Sequence, residues 1–124
     1  MNLLDTDAII ELLREKKYEI GVISIITLLE VLRGLEAKKR PKVKELLEES
    51  FNIQNLDNQI IEAYCNLYQK LKNMGISLPD ADLLIAATAI SQEMTLKTSD
   101  KHFERLTEFG LKLAEAPSKE NESH

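Results

Sequence analysis

Short apolar segments alternate with longer segments of helical periodicity along almost the whole chain, and this alternation limits the folds open to it. Five segments are predicted as strands, at residues 2–5, 20–23, 51–56, 95–98 and 111–114. Strands that alternate with helices favour βαβ units, in which parallel strands lie side by side and helices cover both faces of the sheet. The pattern therefore predicts an α/β fold with three layers around a central, mostly parallel sheet.

Helical periodicity fills the intervals between the strands. Predicted helices begin near residue 6 and then cover residues 24–37, 41–50, 57–75, 81–91 and 102–109. Residues suited to capping or starting a helix precede them, namely Thr6 or Asp7, Ser24, Pro41, Asp57 and Asp80. The second helix is predicted to bury Ile25, Leu28, Leu29, Leu32 and Leu35. It is predicted to expose Thr27, Glu30, Arg33 and Gly34.

The composition suits one soluble domain. The chain has 124 residues, of which 44% are hydrophobic and 30% are charged, enough for both a core and a solvated surface. A single cysteine, Cys65, excludes an intrachain disulfide, and we expect it to be buried in its helix. No apolar run approaches the roughly 20 residues that span a bilayer, and the N-terminus lacks a signal-peptide pattern. We therefore expect a cytoplasmic protein.

The charge distribution bears on nucleic-acid binding in two opposite ways. A net charge of −5 opposes simple electrostatic binding, unless bound divalent cations neutralise part of the acid. One short stretch is nevertheless basic and contains Arg33, Lys38, Lys39, Arg40, Lys42 and Lys44. The simpler interpretation is a solvated helix end and loop, and the alternative is a rim that contacts phosphates.

Four acidic residues lie where predicted strands end or predicted helices begin: Asp5, Glu30, Asp82 and Asp100. Parallel strands bring such positions together at the carboxyl edge of the sheet. Four carboxylates in one place repel one another, and Mg2+ or Mn2+ relieves this because both prefer oxygen ligands. Magnesium keeps most of its waters, so one of them can attack a phosphodiester while the metal stabilises the phosphoryl oxygens.

Each acid also has an ordinary structural interpretation. Asp5 and Asp100 fit helix caps or turns, and Glu30 fits a solvated helix face. Asp82 is harder to explain in this way, because residues 83–90 are apolar on almost every side and indicate a buried helix. A carboxylate at the entrance of such a helix is costly unless something pairs with it. Position alone leaves a metal site and ordinary caps both open.

Four segments in order resemble the motifs of PIN domains. Residues 3–6 (LLDT) resemble the opening motif, residues 24–34 (SIITLLEVLRG) the second, residues 80–89 (DADLLIAATA) the third, and residues 98–103 (TSDKHF) the fourth. The order and spacing match from residue 2 to about 113. Within the family, the chain most resembles VapC-type toxins of prokaryotic toxin–antitoxin pairs.

This resemblance implies an endoribonuclease that depends on Mg2+ or Mn2+ and leaves a 3′-hydroxyl and a 5′-phosphate. The implied metal-binding and catalytic acids are Asp5, Glu30, Asp82 and Asp100. The implied supporting residues are Thr6, Thr98 and Asp80. Of these, Asp80 either caps its helix or supports the metal ligands without binding the metal itself. It also implies an RNA substrate, a homodimer and a VapB-type antitoxin. The PIN domain is expected over residues 1–116, followed by a polar tail at 117–124.

Other features carry less weight. His102 is predicted to lie in packing or at the surface, and Tyr64 and Tyr68 in the core or a dimer contact. A response-regulator receiver has a similar length and layout, but the chain lacks an adjacent acidic pair after its first strand. A PIN-fold protein that binds RNA or a partner without cleaving it is the other alternative. Cleavage that requires both metal and Asp5 would separate the enzyme from both.

Overall fold

Five parallel strands form one sheet at the centre of the computed structural model, which describes residues 1–114. In space the strands follow the order β3-β2-β1-β4-β5. Their bounds are β1 Asn2–Leu4, β2 Val22–Ser24, β3 Asn52–Gln54, β4 Thr95–Lys97 and β5 Lys112–Leu113. Every strand pair is parallel, which confirms the predicted sheet. The predicted boundary at residue 116 and the tail 117–124 lie outside the described residues.

Helices connect successive strands. The α-helices are α1 Thr6–Glu15, α2 Ile25–Arg33, α3 Arg40–Ser50, α4 Asn58–Asn73 and α5 Asp80–Ser91. A 3-10 turn, Ala37–Lys39, precedes α3, and a longer 3-10 helix, Lys101–Phe109, lies between β4 and β5. Within residues 1–114 no helix is both long enough and apolar enough to cross a membrane.

The core has two halves, one on each face of the sheet. Leu3 and Leu4 are both fully buried, and they point to opposite faces because side chains alternate along a strand. Leu3 joins the half formed largely by α4 and α5, and Leu4 joins the half formed by α1, α2 and α3. Helices therefore cover both faces, as the sequence predicted.

The caps differ from the predictions at two helices. Asp5, and not Thr6 or Asp7, is the N-cap of α1, since its backbone is extended and its carboxylate accepts a hydrogen bond from the Ala8 N–H. Asp80 does not cap α5: it is the first helical residue, and Pro79 stands at the cap without a side-chain bond. Ser24 and Asp57 cap α2 and α4 as predicted.

Helix α2 is shorter than predicted and buries a different face. It ends at Arg33 with Gly34 as its C-cap, and Leu29 is 57% exposed while Thr27 is fully buried. The predicted apolar face was wrong because α2 contacts both halves of the core, through Ile26 on one side and Leu28 on the other. A helix that packs on two sides does not present one apolar stripe.

Two further predictions were wrong at the surface. Cys65 is exposed on α4, because the buried face of that helix is formed by Ile60, Leu67 and Leu71. The second strand begins at Val22, and Ile20 is 76% exposed in the preceding loop.

Candidate active site

The carboxyl ends of β1, β2 and β4 meet at one edge of the sheet, where residues of the sequence motifs lie. The registers pair Leu4 with Lys97 and Leu3 with Val22. The Asp5 N–H then donates to the carbonyl of Lys97 at 3.2 Å, which continues the β1–β4 pairing for one more residue. Asp5 and Thr98 therefore leave their strands side by side.

Asp5 is the most deeply buried acid of this edge, with 4% of its surface exposed. One carboxylate oxygen accepts a hydrogen bond from the Ala8 N–H at 2.9 Å, and the other accepts one from the Thr98 hydroxyl. Burial raises the pKa of Asp5, both hydrogen bonds lower it in part, and the charges of Asp7 and Asp100 raise it further. A buried carboxylate whose ionised form is disfavoured in this way is stabilised by a cation beside it.

Asp100 approaches the same edge from the end of β4. Its backbone N–H donates to the Thr98 hydroxyl at 2.9 Å, so Thr98 contacts both Asp5 and Asp100. Asp100 also caps the 3-10 helix, through a bond from the His102 N–H at 2.9 Å. Asp5 and Asp100 are thus helix caps, and capping uses one oxygen of each carboxylate without removing either from the acidic edge.

Glu30 reaches the edge from the middle of α2. The Thr6 hydroxyl donates to Glu30 Oε1 at 2.6 Å, and Arg33 Nη2 lies 3.5 Å from Glu30 Oε2. Only 21% of the Glu30 side chain is exposed, so it is not simply solvated on a polar helix face. Thr6, the first residue of α1, therefore holds the Glu30 carboxylate beside the start of α1.

Asp82 lies in the first turn of α5, half-buried. Burial raises the pKa of Asp82, and the negative charges of Asp100 and Glu30 raise it further. The structure therefore brings Asp82 near Asp100 and Glu30, and Asp100 near Asp5. The four predicted acids come from four different elements and influence one another at one edge.

Asp80 has a partner on a different helix, α4. Its carboxylate accepts a hydrogen bond from the Tyr64 hydroxyl of α4 at 2.7 Å, which raises the pKa of Tyr64 to about 12. Tyr64 is half-buried, and its ring lies 6.1 Å from that of the exposed Tyr68. Asp80 therefore joins α5 to α4 just ahead of Asp82.

Two residues belong to this edge that the sequence did not assign to it. Asp7 is exposed, yet its charge raises the pKa of both Asp5 and Asp82. The spacing of Asp5 and Asp7 at the start of α1 was the available signal. His102 lies at the surface as predicted, but its Nδ1 is 2.8 Å from Asp100 Oδ1, a contact the sequence did not indicate.

The donor set fits a hard divalent cation. All four predicted ligands are carboxylates, and two of them, Asp5 and Asp82, are held in an environment that disfavours their negative charge. Residues 1–114 include no group of three His, Cys, Asp or Glu side chains already arranged to hold a metal ion. Magnesium does not require one, since it is usually bound by one or two carboxylates, waters and substrate phosphates.

Comparisons with known proteins agree with this geometry. The family model described as the PIN domain matches residues 3–108. Ribonuclease VapC1 of Methanocaldococcus jannaschii is 42% identical over 115 residues, which covers 90% of this chain and 85% of the relative.

Solved structures share the fold. VapBC-1 from nontypeable Haemophilus influenzae superposes with a TM-score of 0.79 at 27% identity, covering 92% of this chain and 96% of the other. A chain of a toxin-antitoxin complex from Klebsiella pneumoniae superposes with a TM-score of 0.66 at 28% identity, covering 83% and 90%. The motifs, the sheet order that gathers them and the match over residues 3–108 have one explanation: the chain belongs to the PIN domain family.

Proposed function

We propose that this PIN-domain protein is an endoribonuclease that requires Mg2+ or Mn2+ and acts as the toxin of a toxin–antitoxin pair. The likeness to ribonuclease VapC1 and to VapBC structures supports a ribonuclease toxin. The observation that carries the metal requirement is Asp82, whose ionised form is disfavoured by burial and by the charges of Asp100 and Glu30. A divalent cation is the ligand that removes this penalty.

Each acid has a part to play in holding the cation. Asp5 and Asp82 are the proposed principal ligands, because both carry raised pKa values, and Glu30 and Asp100 complete the acidic edge. Bound there, the cation would supply Lewis-acid stabilisation of an RNA phosphodiester and an activated water for hydrolysis. Thr98 fixes the orientation of Asp5, and Thr6 fixes that of Glu30, through the hydrogen bonds already described.

The proposed partners follow from the relatives. A toxin of this kind would be held inactive by a small VapB-type antitoxin that covers the acidic edge, and we propose a homodimer as its assembly. Size-exclusion chromatography with light scattering would give the oligomeric state of the purified protein. Co-expression with a VapB-type antitoxin would show whether the two proteins co-purify.

The deciding experiment is cleavage of total RNA by purified protein with added Mg2+ or Mn2+, with EDTA, and with the variant Asp82→Asn. We expect metal-dependent fragments that EDTA and the variant both abolish. Asp80→Asn is the matched control, because Asp80 has the same chemistry two residues away but contacts Tyr64 instead of the acidic edge. It should still cleave.

Two results would overturn the proposal. Cleavage that persists in EDTA would remove the metal requirement, and Asp82→Asn protein that cleaves normally would remove Asp82 from the site. RNA binding without cleavage under every metal condition would favour the alternative, a PIN-fold protein that only binds RNA or a partner. Protein purified under denaturing conditions and refolded would exclude a co-purified inhibitor as the cause.

A further inference from the structure

The basic stretch from Arg33 to Lys44 divides into side chains with different partners. Arg40 Nε donates to the carbonyls of Leu32 and Leu35, both at 3.2 Å, and so ties down the end of α2. Lys44 bonds Glu48 within α3 at 2.9 Å. Arg40 and Lys44 therefore have structural partners at the end of α2 and within α3, and neither is paired with an acid of the edge in residues 1–114.

Arg33 is placed differently, since its ion pair is with a residue of the acidic edge. It is the last residue of α2, one helical turn beyond Glu30, and its Nη2 lies 3.5 Å from Glu30 Oε2. Its side chain is 77% exposed. A guanidinium has five N–H donors, and a long contact through one terminal nitrogen leaves the others available for another ligand.

The chemistry of the substrate indicates what that ligand is. RNA is a polyanion, the protein carries a net charge of −5, and the edge that would act on RNA is itself acidic. A cation at that edge neutralises one cleavage-site phosphate at most, so neighbouring phosphates need positive charge from the chain. Arg is the side chain whose planar donors match phosphate oxygens.

We propose that Arg33 binds an RNA phosphate adjacent to the one that is cleaved, and so positions the strand across the acidic edge. This inference rests on the proposed ribonuclease function. Its competitor is a purely local role, in which Arg33 only neutralises Glu30. An ion pair with a 3.5 Å contact to an arginine that is 77% exposed contributes little to stability, so a local role alone gives Arg33 little effect on the fold.

The test measures RNA binding against salt concentration. A fluorescently labelled, mixed-sequence single-stranded RNA is titrated with protein in the Asp82→Asn background, which keeps the RNA intact, at fixed Mg2+ and about 50 to 200 mM KCl. Because each phosphate contact on a single strand contributes about 0.7 to the slope of log K against log salt, Arg33→Ala should flatten the slope by about 0.7. Arg33→Lys should keep most of the slope.

Lys44→Ala is the matched control, since it removes one positive charge whose partner is Glu48. We expect its slope to equal that of the parent. Mn2+ affinity, measured by calorimetry in the cleavage-competent protein, separates the two roles. Phosphate binding by Arg33 predicts that Arg33→Ala binds Mn2+ at least as well as the parent but binds RNA more weakly.

An unchanged salt slope in Arg33→Ala would overturn the inference, as would an equal flattening in Lys44→Ala. A change in Mn2+ affinity without a change in RNA binding would also overturn it in favour of the local role. These outcomes differ from failure of the proposed function, which would appear as wild-type protein that does not cleave RNA under any metal condition, whether or not it binds RNA. Circular dichroism checks that each variant is folded.

Discussion

The Thr98 hydroxyl donates a hydrogen bond to the Asp5 carboxylate across 93 positions of sequence, where β1 and β4 end side by side. The same hydroxyl accepts a hydrogen bond from the Asp100 backbone N–H at 2.9 Å. One small side chain therefore fixes the relation between two acids of the site. Its place in the fold follows from the strand pairing of Leu4 with Lys97, one residue earlier on each strand.

Thr98→Val should impair the site without unfolding the protein, because Val keeps the shape of Thr but cannot donate to Asp5. Loss of a hydrogen bond that orients a metal ligand typically costs 10- to 100-fold in affinity or activity, and we expect a fall of about 10-fold or more in kcat/KM. Thr98→Ser keeps the hydroxyl and should retain most of the activity. Equal activity in Thr98→Val and the parent would show that Asp5 needs no such orientation.

The hydrogen bond between Tyr64 and Asp80 should hold the start of α5, and hence Asp82, against α4. Tyr64→Phe removes only the hydroxyl, and we expect a loss of about 0.5 to 1.5 kcal/mol in the free energy of unfolding. The Mn2+ concentration for half-maximal cleavage should rise by about a few-fold, because without this bond Asp82 can shift slightly from its place at the acidic edge. Urea denaturation and a Mn2+ titration measure the two effects.

Asp80 variants provide the control for this prediction. Asp80→Asn keeps an oxygen that can accept from Tyr64, whereas Asp80→Ala does not. Because the two residues act through one bond, the effects of Tyr64→Phe and Asp80→Ala should not add in the double variant. Additive losses would mean that each residue acts separately.

Gly21 should not tolerate a side chain, since it immediately precedes β2, which pairs beside β1. A Cβ at this position would lie 2.3 Å from Leu4 Cδ1 and 3.0 Å from the Asn2 carbonyl oxygen. Leu4 is fully buried and has little room to move, so Gly21→Ala should destabilise the protein by about 1–3 kcal/mol. Gly34→Ala is the control, because its Cβ would meet nothing closer than 3.5 Å. A thermal melt compares the two.

The sequence predicted the alternation of elements, the parallel sheet and the cap residues Ser24 and Asp57, because these depend on local periodicity and local hydrogen bonds. Its predictions of burial were wrong where the exposure of a residue depends on how its helix packs against more than one neighbour. Leu29 lies on the apolar arc of α2 but is exposed, because α2 packs on two sides and Thr27 occupies the inner position. Cys65 is exposed for a related reason, since three other positions already cover the inner face of α4.

For the candidate site, the sequence predicted which acids lie together but not the partner of each acid. Positions at strand ends and helix starts predicted that the four acids meet at one edge, and the raised pKa values of Asp5 and Asp82 agree with that grouping. The partners of each acid were beyond reach of the sequence, because they join distant elements: Thr6 to Glu30, and Thr98 to Asp5. Whether these acids hold a metal stays a prediction.

Removing the charge of Asp82 should stabilise the metal-free protein while abolishing cleavage. The pKa of Asp82 is raised above its ordinary value of 3.8, so the folded protein disfavours the ionised form that predominates at neutral pH. Asp82→Asn removes this penalty, and we expect its free energy of unfolding in EDTA to exceed that of the parent at pH 7.

The sign of the pH dependence follows from the same shift. A carboxyl group that binds its proton more tightly in the folded state destabilises the protein at pH values above its folded pKa, and this penalty disappears as the pH falls below 3.8. The difference in stability between Asp82→Asn and the parent should therefore shrink as the pH falls through the raised pKa toward 3.8.

Saturating Mg2+ at pH 7 should instead stabilise the parent more than the variant, because only the parent keeps the full set of ligands. Thermal melts of both proteins across pH, with EDTA and with Mg2+, measure these differences. A variant less stable than the parent in EDTA would mean that Asp82 forms favourable contacts that outweigh repulsion, and would remove the electrostatic reason for a cation at this edge.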